Sequence, residues 1–203
     1  MFSWIKKLFK RNGGSMSKEL FTFDSVKSDI EKKLNNLVVL EEYNFQAFAM
    51  AKKIVLNKGV YLKISESTGV PFEVVAAIHH MECSLDFSKG LHCGQPWNKK
   101  TTWVPKGRGP FTSFEEAAID AMIYDKLNLV TDWSDTNIAW ILEKYNGLGY
   151  RRRGLDSPYV WGGTNAHSNK GLYVKDGVFD ENARIKRPGC MAIISRVRAL
   201  DKS

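Results

Sequence analysis

Two long tracts of helix-breaking residues divide the chain and limit what it can build. Residues 88–112 hold Gly90, Gly94, Pro96, Pro105, Gly107, Gly109 and Pro110; residues 147–188 hold Ser157-Pro158, Gly162-Gly163 and Asp176-Gly177. Both tracts are expected to be loop rather than helix, because proline lacks the backbone donor and glycine loses the most conformational entropy on ordering. Around them the apolar residues recur at helical spacing. Val26, Ile30, Leu34 and Leu37 behind an Asp/Ser cap predict a first helix from Asp24. A second is expected from Phe45 to about Ile64, with Thr68-Gly69 ending it. Pro71 opens a third, from Phe72 to about Leu85, at a position where its missing N–H costs nothing. Ser113 to Glu116 reads as a capping box for a helix to about Leu127. Asp135 caps another to Tyr145, which Asn146-Gly147 stops, and a last one spans about Cys190 to Leu200. The first breaker tract predicts a short β-hairpin or an ordered loop around Thr101-Thr102-Trp103-Val104. The second reads as loop, with a turn at Asp176-Gly177.

Residues 1–15, MFSWIKKLFKRNGGS, differ from the rest, so the chain divides into this segment and a single domain over 16–203. Phe2, Trp4, Ile5, Leu8 and Phe9 form an apolar side against Lys6, Lys7, Lys10 and Arg11. Residues 1–11 are expected to lie on an anionic membrane surface, to pack back on the domain, or to form only an irregular terminus. The lysines interrupt the hydrophobic core that a secretory signal requires. Over the whole chain 30 Lys+Arg face 22 Asp+Glu, a net charge of +8 that favours a polyanion: nucleic acid, an anionic membrane or an acidic wall polymer. With 43% hydrophobic residues the chain can fold, and no uncharged apolar run approaches the roughly 20 residues of a membrane span. Three cysteines, Cys83, Cys93 and Cys190, cannot all pair, which argues against a disulfide framework and leaves a Cys83–Cys93 bridge open.

Glu82 is the first candidate for chemistry. It follows Val75 and Ile78 along one helix row, so its carboxyl is expected beside apolar side chains, where the charged form is disfavoured. Such a group can donate a proton to a leaving glycosidic oxygen. The alternative is an exposed glutamate at a helix end. Asp86, one turn on, shares that face if the helix continues, and could act as nucleophile or water-positioning base; otherwise it caps the next turn. Thr101 and Thr102 offer hydroxyls for the same purpose. His79, His80 and His92 with Cys83 and Cys93 could meet at zinc, but the spacing fits no strong zinc pattern, so no metal or other cofactor is expected. Lys106-Gly107-Arg108-Gly109 lacks the ending of a phosphate loop, and Arg151-Arg152-Arg153 has no nucleic-acid module around it, so no specific nucleic acid is expected. Trp97, Trp103, Tyr145, Tyr150, Tyr159 and Trp161 cluster in and beside the breaker tracts, where flat rings suit the apolar faces of sugars or seal the core.

The segments Ala77-Ile78-His79-His80-Met81-Glu82-Cys83-Ser84, Leu91-His92-Cys93-Gly94, Val104-Pro105-Lys106-Gly107-Arg108, Phe114 to Asp120 and Glu143 to Arg151 together resemble phage and bacterial lysozyme-like proteins. The resemblance covers about residues 45–195 and extends distantly to goose-type lysozymes and lytic transglycosylases. It implies a mainly α, two-lobed α+β lysozyme fold with a small β-hairpin region beside the active-site cleft. It further implies a monomeric muramidase, a phage endolysin or virion-associated lysin, made in the host cytoplasm and acting on peptidoglycan in the periplasm or from the virion. Glu82 matches the catalytic acid, with Asp86 or a hairpin residue assisting. Tyr145 and Asn146 match a Tyr-Asn pair that lines the cleft; Thr101, Thr102, Trp103, Tyr150 and Trp161 are the further residues expected at the sugar. The chain departs from the pattern at Cys83, where serine is usual, and at Gln95, where relatives favour an acidic residue. A lytic transglycosylase and a non-catalytic wall- or membrane-binding protein are the alternatives.

Overall fold

The computed structural model describes residues 21–175 and 177–202, so the amphipathic segment and its glycine joint lie outside the described residues. The described chain is mainly helical, with one two-stranded antiparallel sheet. Its elements are α1 (Phe23–Asn35), α2 (Glu41–Leu56), α3 (Lys58–Thr68), α4 (Phe72–Cys83), α5 (Phe114–Tyr124), a 3-10 turn (Leu127–Leu129), α6 (Asp135–Asn146), α7 (Gly149–Arg152), α8 (Pro158–Trp161), β1 (Lys170–Lys175), β2 (Val178–Arg184) and α9 (Cys190–Asp201). No helix among the described residues is long and apolar enough to cross a membrane. The packing divides into two compact units: Ala47–Trp133 with 193–202, and 21–46 with Ser134–Ala192.

The first unit is built on α4. Every residue from Val74 to Cys83 is buried, so this helix is apolar all round rather than striped, and α3 packs on both it and α5. The expected single helix from Phe45 to Ile64 is two helices. Asn57 breaks it: its Nδ2 donates to the Lys53 carbonyl at 2.8 Å while its own carbonyl accepts from Val60 N–H. Ser113 caps α5 by accepting from Glu116 N–H at 3.1 Å, but the Glu116 carboxylate turns to Thr112, taking its N–H at 2.7 Å and its hydroxyl at 2.6 Å. The reciprocal contact of a capping box is therefore displaced by one residue. Ion pairs Arg198–Glu73 (3.1 Å) and Lys58–Asp201 (2.8 Å) tie the C-terminal part of α9 into this unit.

In the second unit α1 packs on α6, and α6 on α8. Thr22 and Ser25, rather than the expected Asp24, cap α1 reciprocally. Of the hairpin or ordered loop expected near Thr101, the loop forms, over residues 101–107, and the antiparallel pair is β1–β2, closed where Lys175 faces Val178. Gly163 sits against Tyr43 at φ +72°, where a Cβ would come within 2.9 Å of the ring, so only glycine fits. Tyr43 completes the contact by donating to the Ile185 carbonyl at 3.0 Å.

Candidate functional site

Glu82 occupies the last turn of α4 and is only 9% exposed, so the carboxyl is buried as its helix row predicts. Directly behind it the chain reverses. Ser84 and Leu85 both take left-handed conformations (φ 55° and 58°), the Ser84 and Leu85 N–H groups return to the carbonyls of His80 and His79, and Lys53 Nζ donates to the Leu85 carbonyl at 3.1 Å. The helix does not continue, so Asp86 is not one turn along the Glu82 face. Its Oδ1 instead accepts from Ser88 N–H (3.0 Å) and Ser88 Oγ (2.6 Å), with Lys89 Nζ 3.2 Å from Oδ2. The hydrogen bonds from Ser88 and then Lys89 hold its carboxyl down to about 2. Asp86 is a turn cap, ionised at neutral pH.

The chain then folds back beside the acid. A closed turn joins Lys89 to Pro96, with Gly90 N–H donating to the Gln95 carbonyl at 2.8 Å, and it brings Gly94 (φ +74°) so close that a Cβ there would sit 3.4 Å from the Glu82 carbonyl oxygen. Gln95 follows immediately and organises the next loop. Its Oε1 accepts from the N–H groups of Thr102 and Trp103, both at 2.9 Å, and its Nε2 donates to Thr102 Oγ1 at 2.9 Å. Thr101, expected to position water, is buried and occupied: its hydroxyl donates to the Pro105 carbonyl and accepts from Arg108 N–H at 3.0 Å. What this loop presents outward is Thr102, Trp103 (44% exposed) and Val104 (45% exposed).

Arg108 leads back to α5. Its guanidinium grips the Asp120 carboxylate through both Nε and Nη2, and Asp120 Oδ2 lies 2.7 Å from His92 Nε2. Burial acts to raise the Asp120 carboxyl, but the bonds from Arg108 and His92 outweigh it and hold the group ionised. Burial also depresses His92, whose ring stacks on Phe111 at 5.5 Å, so the neutral imidazole donates from Nε2. His79 belongs to a different environment: it packs among Tyr61, Phe87 and Phe114, bonds Tyr61 Oη at 2.9 Å through Nδ1, and is pushed by burial down to about 4. Among the described residues no group of three or more His, Cys, Asp or Glu is placed to hold a metal ion, and none of the three cysteines is in a disulfide.

The second unit carries the other expected residues, and it sorts them. Tyr145 is half-buried, its ring 6.2 Å from that of Tyr159, and Asn146 is buried with Nδ2 donating to Ser157 Oγ at 3.4 Å. Tyr150 and Trp161, expected at the sugar, are core residues, 1% and 0% exposed. Burial pushes the Tyr150 phenol up to about 12, and its oxygen accepts from Tyr173 N–H. Trp161 donates its indole N–H to Glu143 Oε1 at 3.0 Å, and Glu143 in turn holds Arg151 through Nε (2.7 Å) and Nη2 (3.0 Å). A ring with no exposed face cannot stack on a ligand.

Gln95, His92, Arg108 and Asp120 are the site-forming residues for which residue type alone is a poor guide. The sequence does hold one signal: from Phe87 to Phe114 there is no acidic residue, so the Arg108 side chain must find its partner outside that tract. No family model matches the chain, and no curated protein and no solved structure matches it either.

Proposed function

We propose that this chain is a peptidoglycan-degrading muramidase, of the phage endolysin or virion-associated type, that cleaves between N-acetylmuramic acid and N-acetylglucosamine. The observation that carries the reading is the buried Glu82 carboxyl at the end of α4, backed by the loop that Gln95 holds with Trp103 exposed. In this scheme Glu82 donates its proton to the glycosidic oxygen as the bond from that oxygen to the sugar's C1 breaks, and the electron pair leaves with the oxygen. Water then adds to C1 and returns a proton to Glu82. Thr102 and Trp103 face the glycan. Residues 1–11 serve delivery to an anionic membrane, which deletion of residues 1–15 tests: killing of intact cells falls while cleavage of purified walls persists.

A lytic transglycosylase is the second reading, and two observations favour it. Asp86 is engaged as a turn cap, and position 95 carries an amide, so neither supplies a free second carboxylate to activate water. The sugar's own C6 hydroxyl would then attack C1 and leave an anhydro end.

The deciding experiment is the digestion of purified peptidoglycan by the wild type and by Glu82→Gln, with mass spectrometry of the fragments. Glu82→Gln abolishes release while the protein stays folded, and fragments that have gained water identify hydrolysis. Undiminished release by that variant removes Glu82 from the chemistry.

A further inference from the structure

We infer that residues 99–106 form a preformed cationic and aromatic platform that selects glycan strands bearing carboxylates, the peptide-stem carboxylates of the wall polymer being its targets. The inference rests on the muramidase reading for the identity of the polymer, and on the loop itself for everything else. Of the cations in the acid-free tract from Phe87 to Phe114, Lys89 is paired with Asp86 and Arg108 with Asp120. Lys99, Lys100 and Lys106 are exposed and form no ion pair among the described residues. Among the described residues none pairs with them.

Their placement follows from the loop's neck. Thr101 N–H donates to the Arg108 carbonyl at 2.9 Å and Gly107 N–H to the Thr101 carbonyl at 2.8 Å, so the chain enters and leaves at one point. Lys100 and Lys106 flank that neck, and Trp103 and Val104 form the tip. The tip cannot relax freely, because Gln95 holds Thr102 and Trp103 from beneath and the Thr101 hydroxyl spans Pro105 to Arg108. A surface ordered in advance spends little further entropy on binding. The indole offers a flat apolar face to a sugar ring, and the flanking ammonium groups act as hydrated point charges suited to carboxylates that vary in position along a strand. A neutral strand gains only the stacking.

The test uses full-length Glu82→Gln protein, which binds without cleaving, sedimented with purified sacculi at low and high salt. Capping the sacculus carboxyls as neutral amides weakens binding about tenfold or more, as expected for several lost rim charges, whereas stripping phosphodiester polymers changes it little. Adding Lys99→Gln, Lys100→Gln and Lys106→Gln together brings native sacculi to the capped level, with an unchanged melting temperature. Adding Trp103→Ala instead weakens native and capped sacculi by a similar factor. The inference is overturned if capping has no effect, if only phosphodiester removal matters, or if the protein prefers anionic phospholipid vesicles to sacculi. Carboxylate-selective binding by a wild type that releases no fragments overturns the muramidase reading and leaves the platform standing; cleavage without selectivity does the reverse.

Discussion

The two breaker-rich segments differ in what surrounds their exposed and buried rings. In the first unit the loop at Thr102 and Trp103 is fastened by neutral groups, the Gln95 amide, the Thr101 hydroxyl and backbone N–H groups, while the Arg108–Asp120 pair anchors the far end of the tract. In the second, the tract after α6 is fastened by charge: buried Glu143 grips Arg151 and Trp161, Arg151 reaches Asp29 at 3.3 Å, and Lys33 joins Asp156 at 3.0 Å. The neutral fastening leaves an aromatic residue outside, at Trp103. In the second, Tyr150, Tyr159 and Trp161 are buried, and Trp161 bonds Glu143 directly. A buried carboxylate must be satisfied on all sides, and the indole N–H of Trp161 is one of the donors that do so.

The largest effect expected from this contrast is at Glu143. Glu143→Ala leaves Arg151 in a mostly buried position without its main partner, and should cost about 3–5 kcal/mol in chemical denaturation; a loss below about 1 kcal/mol would mean that the ionic fastening is dispensable. Next comes acid. His79, His92 and His167 are all depressed by burial, so the unfolded chain binds protons that the folded one refuses, and stability falls as pH drops below about 6.5 and continues to fall towards 4. His79 alone accounts for roughly 3 kcal/mol of that loss. Two of these histidines lie in the first unit, so hydrogen exchange at pH 4.5 should rise there more than in the second. A uniform rise would break the comparison. Thr101→Val keeps the shape and removes both hydroxyl bonds; about 1–3 kcal/mol is expected, with the Trp103 emission shifted as its loop loosens. Smallest is Asp86→Ala, under about 1 kcal/mol, because the turn it caps is open to solvent.

The longer helices of both units could be read from the sequence, since Val26-Ile30 and Val75-Ile78-Glu82 repeat at the helical period, and the burial of Glu82 follows from that row, but the one-turn helices α7 and α8 fall in a tract that reads as loop. The break at Asn57 could not, because an asparagine that takes a carbonyl four residues back looks like any polar position in an amphipathic helix. Strands β1 and β2 alternate poorly in burial, and only their turn carried a signal. Tyr150 and Trp161 were indistinguishable from Trp103 by type and by neighbours. The indole partner that decides the fate of Trp161 lies 18 residues upstream. Asp86 depended on whether α4 continued, and the reversal at Ser84 and Leu85 contains no glycine to announce it.

That reversal has a thermal consequence. Two successive L-residues in the left-handed region cost roughly 1–2 kcal/mol each, and the cost is concentrated directly behind Glu82. It is offset by the burial of Leu85 and by the Lys53 contact to its carbonyl. On heating, a segment with so thin a local margin opens before the helices around it. If the proposed wall cleavage by Glu82 holds, it should therefore fade at temperatures where the circular dichroism of the helices is still native, so that heat inactivation registers the reversal rather than the fold.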